Sequence, residues 1–228
     1  MCGRYGLVDT SKLRDRFELD NSEALRDLKP RYNIAPSQWL PVITRDKVTN
    51  HNKAELMRWG LLPAWSSDPG KAAMMINARA ETLHQKPSYQ KPLRSQRCLI
   101  PATHFFEWRQ TKEGKIPYLI RLKNAEIFSF AGLYDVNTKV EEGKEIKTYT
   151  IITTESNSLV EPIHNRMPVI LKKTTENIWL DPTIIDPEKL LGLLVPFSPN
   201  LMEAYPVFST VNDPANDYSD IIKGIPTI

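Results

Sequence analysis

Residues 97–108 read RCLIPATHFFEW, and this stretch of apolar and aromatic residues decides the fold that the sequence predicts. Cys98–Ile100 has the pattern of a buried strand, and the preceding Ser88–Gln96 is typical of a helix that leads into it. Glu107 lies in a second, aromatic strand pattern. Runs rich in Ile, Tyr, Phe and Thr predict further strands at Ile116–Leu122, Glu126–Tyr134, Thr148–Thr154 and Met167–Leu171.

The other predicted elements are short and do not alternate strictly with these strands. Capping residues and apolar spacing predict helices over Thr10–Glu18, Asn21–Leu28 and Asp186–Leu194, and a β pattern covers Leu56–Leu62. The chain has 18 prolines and 9 glycines, which favours fixed turns and short strands over long helices. We therefore expect an α+β fold with mostly antiparallel sheet. No shift in composition divides the chain, so residues 1–228 are expected to form a single domain.

The composition excludes several classes of protein. The 228-residue chain is 41% hydrophobic and 25% charged, which is ordinary for a globular protein. It has no apolar run near the ~20 residues that a membrane helix needs, and its first residues lack a signal-peptide pattern, so we expect no membrane partner. Two cysteines do not make a disulfide framework, and we expect a reducing, cytoplasmic environment.

The charge is slightly positive and unevenly distributed. The net charge of +3 at pH 7 permits a nucleic-acid partner without requiring one. Residues 82–106 contain no acidic side chain, and their basic residues are Lys86, Lys91, Arg94 and Arg97. Such a basic stretch is either a solvated face or a place for a phosphate backbone. Residues 201–222 have the reverse balance, with several acidic side chains and no Lys or Arg.

Cys2 directly follows Met1, and its small side chain normally allows that methionine to be removed. The mature chain would then begin with an α-amine of pKa near 7.7–8.0 and a thiol of pKa near 8.5 on adjacent carbons. An aldehyde condenses with such an amine to an imine, and the thiol closes on the imine carbon to give a five-membered thiazolidine. Two alternatives stay open: an N-terminal nucleophile of amidohydrolases, and a small apolar residue without a chemical role.

Two other side chains are candidates for proton transfer. Burying a carboxylate such as Glu107 is costly, and desolvation would raise its pKa towards neutrality. The alternative is that Glu107 faces solvent while Phe106 and Trp108 face inward. His164 lies in EPIHNRMP, a loop flanked by prolines, where an imidazole is better placed for proton transfer than in a strand.

The remaining histidines and Cys98 are expected to be structural. His104 should pack or lie at a turn, His51 and His84 should be at the surface, and Cys98 should be an inert core thiol. No two His or Cys residues have the spacing of metal ligands, so we expect no metal and no cofactor.

Two short segments combine asparagine with arginine: RYNIAPSQ at residues 31–38 and NARAET at residues 77–82. Asparagine can bind a sugar or carbonyl oxygen, and arginine can bind a phosphate through two parallel hydrogen bonds. Each segment alone is equally typical of a turn.

Taken together and in order, these segments resemble the SOS response-associated peptidase (SRAP) family, also called the abasic-site-processing domain. The segments that carry the resemblance are MCGRY at 1–5, RYNIAPSQ at 31–38, RWGLLPAW at 58–65, NARAET at 77–82, RCLIPATHFFEW at 97–108, FAGLYD at 130–135, TIITTESN at 150–157, IHNRMPVIL at 163–171 and VNDPAND at 211–217.

The resemblance implies a single compact domain with a β-rich, barrel-like core and a positively charged groove. It implies that an exposed Cys2, after loss of Met1, forms a thiazolidine with the ring-opened sugar of an abasic site in single-stranded DNA. This covalent crosslink would protect the lesion during the response to DNA damage. The resemblance also implies weak lyase activity and removal of Met1, by the protein itself or by an aminopeptidase. We expect a monomer that is cytoplasmic and associates with the nucleoid when it binds DNA.

The resemblance also implies roles for individual residues. The residues of the chemistry are Cys2 as nucleophile, Asn77 as a hydrogen-bonding group near the sugar or the cysteine, Glu107 as the group that orients the α-amine and moves its proton, and His164 as acid and base. The residues near the DNA strand are Arg4, Arg79, Trp108, Thr153 and Arg166. Asn33 would support the site without touching the DNA.

Two other functions stay open from the sequence. An N-terminal-nucleophile glutamine amidotransferase can also begin Met-Cys-Gly, and it would release ammonia from glutamine independently of DNA. A non-catalytic DNA-binding module would form a complex with DNA that SDS dissociates.

Overall fold

Twelve strands and five short α-helices form the regular structure of residues 2–20, 23–124 and 126–225, which a computed structural model describes. The strands are β1 (Arg4–Leu7), β2 (Arg31–Ile34), β3 (Trp39–Arg45), β4 (Asn52–Trp59), β5 (Asn77–Arg79), β6 (Arg97–Ala102), β7 (His104–Thr111), β8 (Gly114–Leu122), β9 (Phe128–Asn137), β10 (Ile146–Glu155), β11 (Arg166–Pro168) and β12 (Met202–Pro206). The helices are α1 (Leu13–Arg16), α2 (Lys71–Met74), α3 (Pro87–Ser95), α4 (Lys173–Leu180) and α5 (Pro187–Leu191).

Five of the strands close into a barrel. β10 pairs with β4 and β9, β9 pairs with β6, β6 with β3, and β3 with β4, so the ring of pairings returns to its start. The two short strands β5 and β11 add to the far end of β10. Among the strands of the described residues, the parallel pairings are those of β10 with β4 and with β5. The predicted α+β class with a mostly antiparallel, barrel-like core is confirmed.

A second, antiparallel sheet packs beside the barrel in the order β12-β8-β7-β1-β2. Its strand β7 is buried on both faces: Phe105 belongs to the main core, whereas Phe106 belongs to a smaller cluster with Leu119 and Val211. Because side chains alternate along a strand, Glu107 shares the face of Phe105 and points towards the main core. This alternation brings a carboxyl group into the interior.

Two glycines show where the backbone needs close approach or a left-handed conformation. A Cβ at Gly132 in β9 would lie 2.1 Å from Cδ1 of Ile100 in β6, so the barrel wall closes only around glycine here. Gly60 has φ of +120° and faces the carbonyl oxygen of Ala72, where a Cβ would lie at 2.4 Å. Gly60 therefore ends β4 at Trp59, three residues before the predicted end at Leu62.

The predicted strands are present with shifted ends. The predicted helix Ser88–Gln96 is present as α3 with a shift of one residue, whereas the helices predicted at Thr10–Glu18 and Asp186–Leu194 are shorter. The segment Thr10–Glu18 forms a 3₁₀ turn followed by α1, and neither Thr10 nor Ser11 is its cap, because Asp9 holds that position without a side-chain bond. The Asp186 cap is confirmed, since its carboxylate accepts a hydrogen bond from the N–H of Glu188 at 3.0 Å. The predicted cap Asn21–Ser22 lies outside the described residues. The sequence did not indicate α4.

The basic stretch is only partly available to an anion. Arg97 is 5% exposed, and its guanidinium donates to the carbonyl oxygens of Leu93 and Trp179, with two further carbonyl partners at Arg94 and Asp181. The expectation that Arg97 could meet a phosphate is therefore wrong, because main-chain oxygens saturate it. Lys86, Lys91 and Arg94 are exposed. Within the described ranges, none of the helices is both long and apolar enough to cross a membrane.

Candidate functional site

The start of the chain runs into the interior beside β7. Arg4 of β1 pairs with Phe106 of β7, so the residues before Arg4 continue towards Glu107. The Nδ2 amide of Asn77 in β5 donates to the carbonyl oxygen of Cys2 at 2.8 Å. Cys2 is 0% exposed, so the expectation of an exposed Cys2 is wrong: packing between the second sheet and β5 covers it.

Burial also changes the acidity of the Cys2 thiol. Desolvation raises its pKa far above the ordinary value, and the nearby negative charge of Glu107 raises it further. The expectation of a partly ionised thiol at neutral pH is therefore wrong for this environment. A neutral thiol needs a base before it can attack, and Glu107 is the carboxylate close enough to act on it electrostatically.

Glu107 is buried rather than solvent-facing. It is 2% exposed, and desolvation raises its pKa to about 7. The alternative of a solvent-facing glutamate is wrong, because β7 is covered on both faces. A carboxyl group with this pKa can both accept and donate a proton near neutral pH, as acid–base catalysis requires.

His164 lies in the loop before β11 and is half-buried. Its Nδ1 accepts a hydrogen bond from the main-chain N–H of Arg166 at 3.0 Å, so we place the ring proton on Nε2. Desolvation lowers the pKa of His164, which favours the neutral imidazole at neutral pH. The imidazolium form, which has a proton on both ring nitrogens, is the form of His164 that can act as an acid.

The end of β10 gathers several predicted DNA contacts. Thr153 of β10 is opposite Arg79 of β5 and Pro168 of β11. Arg166 donates to the carbonyl oxygen of Thr153 at 2.7 Å and forms two bonds to the carboxylate of Glu81, at 2.7 and 3.0 Å. Thr153 is fully buried and Arg79 is exposed. The structure thus brings Arg79 and Arg166 to one edge, with Thr153 behind them.

Arg4, Trp108 and Asn33 form a second group beside the chain start. The guanidinium of Arg4 donates to Oδ1 of Asn33 at 2.8 Å and to the carbonyl oxygen of Val211 at 2.9 Å. Its Cζ atom lies 5.9 Å from the centre of the Trp108 ring. Asn33 is fully buried, as expected of a residue that supports the site without touching DNA.

The remaining sequence candidates are placed as structural residues. His104 is buried, its Nε2 is 3.0 Å from the carbonyl oxygen of Tyr32, and desolvation lowers its pKa to about 4. His51 and His84 are exposed, and Cys98 is fully buried with a pKa raised by desolvation. These four placements agree with the expectations. Among the residues described, no three His, Cys, Asp or Glu side chains converge as a metal site would require.

Sequence reasoning missed an exposed aromatic group close to the site in sequence. Trp65 is 51% exposed, and the ammonium group of Lys71 lies 4.3 Å from the centre of its ring. Both belong to the segment that leads directly into Asn77. The signal was present in RWGLLPAW, where a tryptophan follows a proline in a loop, but an apolar residue there is equally compatible with the core.

One of the two polar side-chain atoms of Asn77 has a hydrogen-bond partner among the described residues. Its Nδ2 binds the Cys2 carbonyl group, but its Oδ1 is buried and has no hydrogen-bond donor among the described residues. An amide oxygen has two lone pairs and can accept a hydrogen bond from a bound group. An amine or a sugar hydroxyl group would supply the missing hydrogen bond.

Comparisons with known proteins identify relatives of this chain. The family described as SOS response associated peptidase (SRAP) matches residues 1–214. A Bacillus subtilis protein named abasic site processing protein YoqW is 44% identical over 225 residues, which cover 98% of this chain and 99% of that protein. The chicken (Gallus gallus) abasic site processing protein HMCES is 31% identical over 265 residues, or 99% of this chain and 78% of that protein. The solved structure of a Bacteroides thetaiotaomicron protein matches with a TM-score of 0.87 and 32% sequence identity. The match covers 99% of this chain and 100% of that protein's chain.

Proposed function

This chain belongs to the SOS response associated peptidase (SRAP) family, and from that premise we propose that it processes abasic sites in single-stranded DNA. Cys2, once Met1 is removed, forms a thiazolidine crosslink with the aldehyde of the opened sugar. The crosslink protects the lesion while the chain acts as one domain, as a monomer, on DNA in the nucleoid. Met1 is removed by the protein itself or by an aminopeptidase.

One observation carries this proposal: the hydrogen bond of 2.8 Å from Asn77 to the Cys2 carbonyl oxygen. It fixes the main chain of Cys2 beside the buried Glu107 carboxyl group, whose charge acts on the Cys2 thiol. A residue that was second only by chance would need neither contact. Holding a nucleophile and a base in one geometry is how a site lowers the entropic part of a reaction barrier.

The reaction begins with opening of the sugar. In its imidazolium form, His164 gives the Nε2 proton to the ring oxygen as the bond from that oxygen to C1′ breaks, and the freed Nε2 lone pair takes the proton of the C1′ hydroxyl group, which becomes the carbonyl oxygen of the aldehyde. The α-amine of Cys2 then adds to C1′, and Glu107 takes a proton from its nitrogen. The orphaned Oδ1 of Asn77 is available to accept a hydrogen bond from the amine or from the sugar.

Glu107 returns its proton to the departing hydroxyl group, loss of water from the adduct leaves a protonated imine, and the thiol closes the ring. The Cys2 sulfur bonds to C1′, the electron pair of the C=N bond moves to nitrogen, and the thiol proton moves to the Glu107 carboxylate. Because burial raises the pKa of the thiol, this last transfer needs a base, and a carboxyl group of pKa about 7 serves. Diversion of the imine to strand cleavage gives the weak lyase activity.

The edge that carries Arg79 and Arg166 holds the DNA, and a phosphate at Arg166 replaces the carboxylate of Glu81. Arg79 and Arg166 bind phosphates on either side of the lesion, and Thr153 acts by holding Arg166. Trp108, which is half-buried, offers a face on which a base stacks. Arg4 is half-buried, and it contributes its charge and its contact with Trp108. Binding to phosphates and a missing base is independent of sequence.

The decisive experiment is an SDS gel of the protein incubated with an oligonucleotide containing one abasic site. The wild-type protein should give an SDS-stable adduct, and Cys2→Ala should abolish it. Cys98→Ala is the matched control: the same substitution at a buried thiol of the barrel should leave the adduct intact. An undiminished adduct in Cys2→Ala would refute the assignment of Cys2.

Two further measurements separate the alternatives. Intact-mass spectrometry of protein purified from cells should show a chain that begins at Cys2, since a retained Met1 blocks the amine. Ammonia release from glutamine without DNA would instead favour an amidotransferase. A complex that SDS dissociates would favour a non-catalytic DNA-binding module.

A further inference from the structure

Residues 209–217 lie near the end of the described chain and wrap around side chains from near its N-terminus. We name this segment the C-terminal clamp. The buried side chain of Asn33 lies at its centre. Its Nδ2 donates to the carbonyl oxygens of Val211, Asp213 and Asn216 at 3.2, 3.0 and 2.8 Å. Two hydrogens thus serve three acceptors, and the clamp takes the shape of a turn around one amide.

The clamp also contacts the two groups that flank Cys2 in the second sheet. The Nη1 atom of Arg4 donates to the carbonyl oxygen of Val211 at 2.9 Å, and its Nη2 atom lies 3.4 Å from the carbonyl oxygen of Asn212. The indole Nε1 of Trp108 donates to the side-chain Oδ1 of Asn212 at 2.8 Å. A single residue, Asn212, therefore contacts both Arg4 and Trp108.

Asp217 fixes the far end of the clamp. Its carboxylate accepts hydrogen bonds from the main-chain N–H groups of Tyr32 and Asn33, the latter at 2.9 Å, and pairs with the guanidinium of Arg31. The acidic stretch found in the sequence is thus partly internal: Asp217 ties the clamp to β2. Asp217 also lies beyond residues 1–214, the part of the chain that matches the family.

We propose that the C-terminal clamp orients the Trp108 ring for single-stranded DNA, with Asn212 as a positioning residue that acts through the Trp108 indole N–H. This inference rests on the proposed function for its substrate. Trp108 is half-buried, so part of its ring is accessible. A hydrogen bond at the indole edge restricts rotation of the ring about its side-chain torsions, which lowers the entropy lost when a base stacks on it.

The first test needs no DNA. Each of the five tryptophans gives one indole N–H signal in a two-dimensional ¹H–¹⁵N spectrum, and Trp108→Phe identifies the relevant one. Asn212→Ala should move the Trp108 signal and raise its exchange rate with solvent about fivefold, the loss expected for one exposed hydrogen bond. Asn212→Asp keeps an acceptor and should retain the slow exchange. An unchanged Trp108 signal in Asn212→Ala would overturn the proposal.

The second test measures binding of an oligonucleotide without a lesion, by fluorescence anisotropy. Asn212→Ala should raise the dissociation constant about fivefold. The rate of crosslinking at saturating abasic DNA should stay within about twofold of wild type, since the reacting groups are untouched. The matched control is Asp220→Ala, which removes an exposed ion pair with Lys223 in the same region and should change neither quantity.

The outcomes separate failure of the clamp from failure of the proposed function. Absence of a crosslink in the wild type would refute the covalent chemistry, whereas the spectrum and the anisotropy would still test the clamp. An Asn212→Ala variant that binds the lesion-free strand as tightly as wild type would refute the clamp and leave the crosslink standing. Asn212 is exposed, so its truncation leaves the fold intact.

Discussion

Two buried glutamates, one in helix α4 and one in strand β7, have different hydrogen-bond partners and different roles. Glu176 of α4 is 6% exposed, accepts two hydrogen bonds from the guanidinium of Arg16 at 2.9 and 2.6 Å, and accepts a third from the hydroxyl of Ser129 at 2.7 Å. Glu107 of β7 is 2% exposed, lies beside the Cys2 thiol, and has a pKa raised to about 7 by desolvation. Equal burial therefore does not mean an equal role.

A structural carboxylate and a reactive one can be distinguished by whether a counter-charge compensates their burial. A bidentate guanidinium compensates the desolvation of Glu176 and fixes its charge in one geometry, which suits a joint between α4 and α1. Burial that shifts a carboxyl pKa to neutrality instead produces a group that exchanges protons at physiological pH. Replacing each glutamate by glutamine tests whether the two side chains differ in this way.

The largest effect is expected from Glu107→Gln on crosslinking. Glutamine keeps the shape of the side chain but cannot accept a proton, so the single-turnover rate should fall about 10²- to 10⁴-fold. The midpoint of thermal unfolding should not fall, because the change removes a desolvated carboxyl group from the core. A rate within a factor of a few of wild type would show that Glu107 is not the base.

The same substitution at Glu176 should lower the stability of the protein and leave its crosslinking rate unchanged. Glu176→Gln leaves the Arg16 guanidinium buried without its counter-charge, which costs about 3–5 kcal/mol of unfolding free energy in comparable ion pairs. The crosslinking rate of the folded fraction should be unchanged, because Glu176 lies outside the site. Urea unfolding followed by tryptophan fluorescence measures the loss. The double variant Arg16→Met/Glu176→Leu should recover part of it, since no unpaired charge remains.

The next smaller effect is expected in the pH dependence of the unfolding free energy, to which Glu107 should contribute. Its pKa is raised from 4.5 in a free side chain to about 7 in the fold. A raised carboxyl pKa contributes stability that is complete below pH 4.5 and is lost as pH rises through 7. The unfolding free energy of wild type relative to Glu107→Gln should therefore fall by on the order of 3 kcal/mol over that window and stay level above it. A flat difference would contradict the raised pKa.

The two glutamates also show what the sequence could predict. The sequence indicates Glu107 because charge is conspicuous between two aromatic residues, although alternation alone leaves either face of β7 open to solvent. The structure covers one face with the main core and the other with residues of the C-terminal segment, Val207, Val211 and Ile221. The sequence does not indicate Glu176, because its partner Arg16 is 160 residues away and α4 has no strong capping signal. The same limit applies to closure of the barrel and to the C-terminal clamp, which both depend on contacts between distant segments. Local patterns predict β8, β9 and β10 because those strands are long and contain many β-branched and aromatic residues, whereas the apolar run Cys98–Ile100 predicts the shorter β6.

The smallest expected effect concerns where the DNA lies, and it compares the exposed Arg79 with the exposed Lys91 of the basic stretch. Arg79 is opposite Thr153 near the end of β10, whereas Lys91 lines a surface cavity with Lys147 at the start of that strand, six residues or about 20 Å away. Arg79→Gln should lower the magnitude of the slope of log K against log salt by about 0.7, the release of one counterion from a single strand. Lys91→Gln should leave that slope unchanged, because a phosphate bound at the site does not reach it. If Lys91→Gln lowers the slope and Arg79→Gln does not, the strand runs along the basic stretch instead, and the edge formed by β5, β10 and β11 is not the DNA-binding surface.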